Sequence, residues 1–435
     1  MRNLTRFRNG LSFSSIGKTW NSGNFWSVAG LLGSSIGDRE EIANDFEGYV
    51  EGAFKANGVV FTTILIRQAI LSEARFQYQR LENGRPGDLF GLPSLALLES
   101  PWPNGTTGEL IDRMEQDGSL AGNFYATTVV DDDGSRIRRL RPDWTTIITE
   151  APVRDDGSPG RPTDIGARVS GYLYKPPLDE GTLLPAKDVA HYSPIPDPIA
   201  QWRGMSWITA ITREVMADNA TSKHKLKFFE NGATSGTVIT YDKDVAPETV
   251  KTFAKFYAEQ HSGVDKAYKT VHLGGGADTH TVGADLKQLD FKVTQGAGES
   301  RMAAASLVGA VLAQFSEGMQ GSSLNAGNFN ASKRRFADVG ARPLWRKMAA
   351  SLSKFADPPP GSRLWYDDRD IPFLQDDAKD AADILKVNAE AIATLARDGF
   401  EPESAVAAIT SGDLRLLKHT GRPSVQVQPD KETAA

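Results

Sequence analysis

Six histidines are the first place to look for acid–base or metal chemistry in this chain: His191, His224, His261, His272, His280 and His419. A catalytic or metal constellation needs several such groups at matching spacing. Only His272 and His280 are close in sequence. The nearby carboxylate is Asp278, and the set fits no familiar ligand pattern, so no metal is expected there. Leu273-Gly274-Gly275-Gly276-Ala277-Asp278 has the glycines of a phosphate-cradling loop but not its Lys-Ser/Thr pair, and no helix follows directly. A tight turn between two strands is expected instead. Gly33-Ser34-Ser35-Ile36-Gly37 has the spacing of a nucleophile elbow, which needs a strand before it, a helix after it, and later acid and histidine partners. The preceding run is short and built of small residues, so it reads as a flexible loop. Asp131-Asp132-Asp133-Gly134 starts like a calcium loop, yet no bidentate glutamate completes it, and a hairpin turn is expected. The absence of cysteine excludes disulfides, thiolate metal sites and thiol nucleophiles, and fits assembly in a reducing cytoplasm. No catalytic residue, metal or cofactor is therefore expected.

Two further sets have residue types suited to binding. Lys333, Arg335, Arg342 and Arg346 share one stripe of an expected helix, with Arg342 and Arg346 at i+7 and i+11 from Arg335. That stripe suits either DNA phosphates or a subunit-pairing face. The run 316–330 has little to bury and carries Gly318, Gly321 and Gly327. A mobile loop is expected, with Met319 and Leu324 as its apolar residues. The formal charge is −6, whereas a protein that neutralises many phosphates is normally basic, so any DNA contact should be weak, local or sliding.

Behind these sets lies an ordinary folded composition, 40% hydrophobic and 24% charged, with no apolar run of bilayer length. Arg2, Arg6, Arg8 and Lys18 make the first twenty residues basic, and they read as a flexible arm rather than a leader. Apolar periodicity predicts helices over 38–57, from 59 toward a strand at 75–81, and over 107–121. Short β-branched and aromatic runs between Tyr125 and Tyr192, separated by Asp-Gly, Pro-Gly and Pro-Pro breaks, predict a β-rich module. A long helix is expected over 204–231 on a stripe of Trp207, Ile208, Ile211, Val215 and Leu226, interrupted by Asn219. A small α/β unit follows over 233–294, with strands at 236–241, 269–273 and 280–283 and a helix at 247–261. Helices are then expected over 297–315 and 331–356, the second kinked by Pro343. After the linker Asp357-Pro358-Pro359-Pro360-Gly361 come an extended piece at 364–366, an acidic helical hairpin at 376–397 and 402–411, and a disordered polar tail.

Five segments in this order carry a resemblance. They are Asp188–Pro194 with Trp202–Ser206; Lys227–Ala233 with Ser235-Gly236; Leu273–Asp278; Asp290–Lys292 with Glu299–Ala305; and Asn328–Asn330 through Arg334–Phe336 to Arg342–Leu344. Together the chain resembles the phage portal family of the HK97 type between about Trp20 and Ala408. It departs where the family has a proline, at Leu307–Val311 and at Ser206-Trp207. The resemblance implies an α+β portal fold assembling as a ring, a dodecamer, with long stem helices, a β-rich wing, a small α/β clip and a helical crown. On this chain it implies an arm at 1–20, wing at 21–205, first stem helix at 206–232, clip at 233–294, second stem helix at 295–316 and tunnel loop at 317–328. The wing resumes at 329–365, followed by the crown at 366–418 and the tail at 419–435. Tunnel-loop residues facing the DNA channel would be Gly318, Met319, Gln320, Ser322, Ser323, Leu324 and Asn325. The implied setting is the portal vertex of a bacteriophage capsid. Implied partners are double-stranded DNA in transit, the terminase large subunit, head–tail adaptors, and the major capsid protein and scaffold, with no membrane. The alternatives are a head–tail connector that threads no DNA and a nucleic-acid-processing enzyme.

Overall fold

The computed structural model describes residues 39–42, 44–82, 84–131, 134–158, 160, 164–230, 237–242, 244–261, 278–281, 291–315, 326–374 and 378–421. The described chain opens with strand β1 (Arg39–Glu40) and one helical turn, α1 (Phe46–Tyr49), which widens into a π turn over Val50–Phe54. Then come α2 (Gly58–Leu71), β2 (Arg75–Glu82), β3 (Arg85–Phe90), α3 (Ala96–Glu99), α4 (Thr107–Leu120), β4 (Phe124–Asp131), β5 (Gly134–Leu140), β6 (Thr145–Glu150), β7 (Arg168–Tyr174), β8 (Thr182–Pro185) and β9 (Val189–Tyr192). The second half carries α5 (Thr212–Glu230), β10 (Thr237–Thr240), α6 (Pro247–His261), β11 (Asp278–Thr281), α7 (Phe291–Ala305), α8 (Ala326–Arg335), α9 (Arg342–Ala356), β12 (Ser362–Asp367), α10 (Ala378–Arg397) and α11 (Pro402–Ser411). These elements form two compact units that divide after Asp368.

In the first unit, helices α2 and α4 pack together, α4 contacts β4, and the antiparallel sheets run in the orders β1-β6-β7-β8, β5-β4-β9, β12-β2-β3 and β10-β11. Asn57 starts α2 by accepting from the Val59 and Val60 amides, and a reciprocal Thr106–Glu109 capping box starts α4. The core beneath them joins Val60, Ile64 and Leu120 to Trp207, Ile208, Ile211 and Val215 at the foot of α5, and to Met302 near the end of α7. A second core, of Tyr125, Leu140, Ile147, Tyr172 and Val189, lies between the sheets. Asp131 stands opposite Gly134 where β4 and β5 pair, and Asp132 and Asp133 of the acidic run lie outside the described residues. The second unit is a helical hairpin of α10 and α11, close to its expected bounds.

Four expectations need correction. Residues 38–57 are not one helix. Arg39 and Glu40 pair with Ile148 and Ile147 as an edge strand, which holds the chain extended before α1 begins at Phe46. Residues 297–315 are not one helix either: α7 stops at Ala305 because Leu307 and Gly309 both take positive φ. The 331–356 helix is split by a π turn at Phe336–Ala341. That turn precedes Pro343 in the first turn of α9, where a missing amide is tolerated, and it leaves Val339 54% exposed. Leu226 is exposed as well, because the buried stripe of α5 ends with its first turns.

Candidate functional site

The foot of α5 and the end of α7 meet one buried ion pair. Arg67 of α2 and Glu115 of α4 are both almost fully buried. The Arg67 Nε donates to Glu115 Oε1 at 2.5 Å and Nη2 to Oε2 at 3.2 Å, a bidentate clasp. Burial by itself would lower the Arg67 pKa, but the Glu115 carboxylate outweighs it and holds the guanidinium above its ordinary value. The remaining Nη1 donates to the Ser306 carbonyl at 2.5 Å, just past the end of α7. From Glu115 the network runs on. Ser119 Oγ donates to Glu115 Oε1, Trp207 Nε1 donates to Ser119 Oγ at 2.9 Å, and Ser206 Oγ donates to the Ser119 carbonyl while accepting the Ile208 amide as the helix cap. Each buried polar group in this chain of contacts has a partner, the condition under which such a network fixes one arrangement.

The same lock explains where α7 ends. With the Ser306 carbonyl drawn to Arg67, Ser306 Oγ donates back to the Ala303 carbonyl and accepts the Val308 amide, and the Gly309 amide returns to Ala303 as well. Met302, Val308 and Leu312 are buried all the same, so the apolar stripe was sound where the helix was not. α5 departs where α7 returns, and Glu214 pairs with Arg301 at 3.6 Å across them.

A second knot holds the strand ahead of α5. Asn123 Nδ2 donates to the carbonyls of Ala121 and Gly204, and its Oδ1 accepts the Gly204 amide at 2.7 Å and His191 Nε2 at 3.0 Å. Because that oxygen can only accept, Nε2 carries the histidine proton. Nδ1 then faces the Tyr172 hydroxyl at 3.3 Å. Burial, reinforced by the Lys354 charge, lowers the His191 pKa to about 3, so the ring is neutral and structural. A Cβ on Gly204 would stand 2.1 Å from the Gly122 carbonyl oxygen, and Gly122 itself has φ +74 against the Met205 backbone. Nearby, the buried Glu40 carboxylate accepts three successive amides, Gln201, Trp202 and Arg203, and Arg203 pairs with Asp197.

Of the residues singled out from sequence, Gly318, Met319, Gln320, Ser322, Ser323, Leu324 and Asn325 lie outside the described residues, as do Gly33–Gly37, His272 and Gly274–Gly276. The basic stripe is described. Lys333 and Arg335 sit in the last turn of α8, and Arg342 and Arg346 in the first turns of α9. The π turn between them inserts a wider turn, so Arg335 and Arg342 do not keep the shared face that i+7 gives an unbroken α-helix. Arg342 is already held by Asp338 and, at 3.0 Å, by Asp368, while Arg346 donates to the Arg342 carbonyl. Sequence reasoning missed Arg67, Glu115, Asn123 and Glu40. A signal did exist for Arg67, the one formally charged residue in α2.

Among the described residues, no three His, Asp or Glu side chains gather as a metal site would require. The buried charges at the Arg67–Glu115 lock are paired, and the foot of α5 and the end of α7 share it as one anchor. Residues 59–391 match the model of the phage portal protein family. The chain belongs to that family. A chain from the neck of a native gene transfer agent particle, computed with C12 symmetry, superposes with a TM-score of 0.55 at 21% identity, over 84% of this chain and 94% of that one. A chain from the virion of the native particle gives 0.54 at 20%, over 80% and 89%. An HK97 family phage portal protein from Corynebacterium diphtheriae gives 0.49 at 12%, over 75% and 96%. A comparison with curated proteins finds no match.

Proposed function

We propose that this chain is the repeating subunit of a ring, twelve copies round, that forms the channel for double-stranded DNA at one capsid vertex during packaging and ejection, and that it catalyses no reaction. The observation that carries this is the family match over 59–391 on a fold in which α5 leaves and α7 returns at one buried lock. A chain of the same fold comes from a neck computed with C12 symmetry, which supports the subunit number. On this basis α5 and α7 are the stem, β10, α6 and β11 belong to the clip, and α10 with α11 forms the crown. Residues 317–328 would hold the tunnel loop, although its last three residues, from Ala326, already belong to α8 rather than to a loop. The clip would dock the terminase large subunit and then the head–tail adaptors, while the wing would meet the major capsid protein and scaffold. A net charge of −6 suits a channel that must release the phosphates it passes. Native mass spectrometry and negative-stain imaging test this: a ring with an axial hole is expected. A chain that stays monomeric at high concentration and in the presence of scaffold and capsid protein refutes it.

A further inference from the structure

Helix α2 is apolar on the side that faces away from the core as well as on the side that faces it. Its inner residues Val60, Ile64 and Leu71 are fully buried, and its one charge, Arg67, is consumed by Glu115. On the outer side Phe61 is 45% exposed and Leu65 50%, with exposed Ala69 one turn further on, all at i, i+4 and i+8. The Phe54 ring lies 5.3 Å from that of Phe61 and extends the strip toward the preceding π turn. No charged side chain occurs anywhere between Lys55 and Arg67. A helix hydrophobic all round is normally covered on every side. This one is about 21 Å long at 1.5 Å per residue, short of a bilayer span.

We infer that the outer strip of α2, centred on Phe61 and Leu65, is the face that a second copy of this chain covers in the assembled ring. This rests on the ring proposed above. In a closed ring every copy presents a face that stays covered for the life of the assembly, and such permanent interfaces are the apolar ones. Duplex DNA offers nothing to an uncharged strip, since its binding is carried by phosphate contacts. A partner that docks and leaves uses surfaces about as polar as the rest of the protein. The strip is also preformed, because the inner side of α2 is locked by Arg67–Glu115 and the core.

The chain has no cysteine, so Leu65→Cys and, separately, Ala69→Cys are each the sole thiol. Maleimide labelling is timed on unassembled chain and on rings of the full-length protein, with native mass identifying each fraction. Labelling in the ring at least about tenfold slower than in the unassembled chain, at both positions, is the expected result. Equal rates in both fractions overturn the assignment while leaving the ring intact. Protection already present in the unassembled chain also overturns it, because the chain's own residues would then be the cover. Failure of the wild-type protein to form any ring sinks the ring and the assignment together. As a second measurement, Phe61→Ser/Leu65→Gln should leave the unassembled chain folded, by circular dichroism, and abolish rings, and unimpaired rings count against the inference.

Discussion

Arg67→Met tests how the two helices are anchored. Methionine keeps most of the side chain's apolar bulk but removes the guanidinium, leaving the Glu115 carboxylate at 1% exposure without its cation. Breaking one side of a buried pair destabilises by roughly 3–5 kcal/mol. The Ser306 carbonyl loses its donor too, which adds about 1–3 kcal/mol if no water replaces it. Arg67→Met/Glu115→Leu removes both charges and should recover all but about 1–3 kcal/mol, the share belonging to the Ser306 carbonyl and the stranded Ser119 hydroxyl. Urea unfolding of the unassembled chain, followed by far-ultraviolet circular dichroism and by tryptophan fluorescence, gives each value. Trp207 reports from inside the network. With Glu115→Leu alone the four chains make a cycle, and a coupling energy of at least about 2 kcal/mol is expected. A cost below about 1 kcal/mol for Arg67→Met, or a coupling near zero, refutes the idea that one pair anchors both helices.

His191 binds a proton in the folded chain only near pH 3, against 6.5 for the ordinary group, so the unfolded chain holds the extra proton between those values. Stability is therefore complete above about pH 6.5 and falls with pH toward 3, by on the order of 1.4 kcal/mol per pH unit. His191→Gln, which can still donate to Asn123, should flatten that slope, and an unchanged slope contradicts the neutral buried ring. Gly204→Ala should destabilise by more than about 3 kcal/mol or leave the chain insoluble, since its Cβ meets backbone at 2.1 Å. The control Gly58→Ala, with nothing within 4 Å of its Cβ, should be neutral or mildly stabilising by thermal melting. Replacing Gln320–Ala326 by two glycines should leave rings intact while proheads package or retain less DNA, and wild-type packaging rejects a tunnel-loop role.

Legibility from sequence followed the reach of the interactions. The bounds of α2, α4, α6, α10 and α11 and the strands β4, β6, β7 and β9 came from local caps, breaks and periodicity, which neighbouring residues decide. What failed depended on distant partners. Gly309 is a local sign of a helix end, but nothing near it announces that Arg67, 239 residues before Ser306, will take the Ser306 carbonyl. Nor does anything near Arg39 show that β6 will pair with it. The motif residues His191 and Gly204 were noticed, but Asn123, which joins them, belongs to no motif and was found only through the backbone approach of Gly122 and Gly204. The basic stripe failed for a subtler reason, since counting by seven assumes an unbroken α-helix through Phe336–Ala341.

The π turn at Phe336–Ala341 makes chain length, rather than residue type, the setting that aims α8. Gly340 packs where a Cβ would lie 2.9 Å from the Phe336 ring, and Pro343 fixes where α9 can begin, so the wide turn has a defined place. Deleting a single residue there would let α-helix run through, rotating α8 about 100° and drawing it some 1.5 Å along the axis relative to α9. Every side chain from Ala326 to Arg335 would swing by that angle, and the chain entering α8 would start from a new position. A one-residue insertion or deletion would thus re-aim α8 without touching any residue that faces the core of α9, a freedom that no substitution at those positions provides.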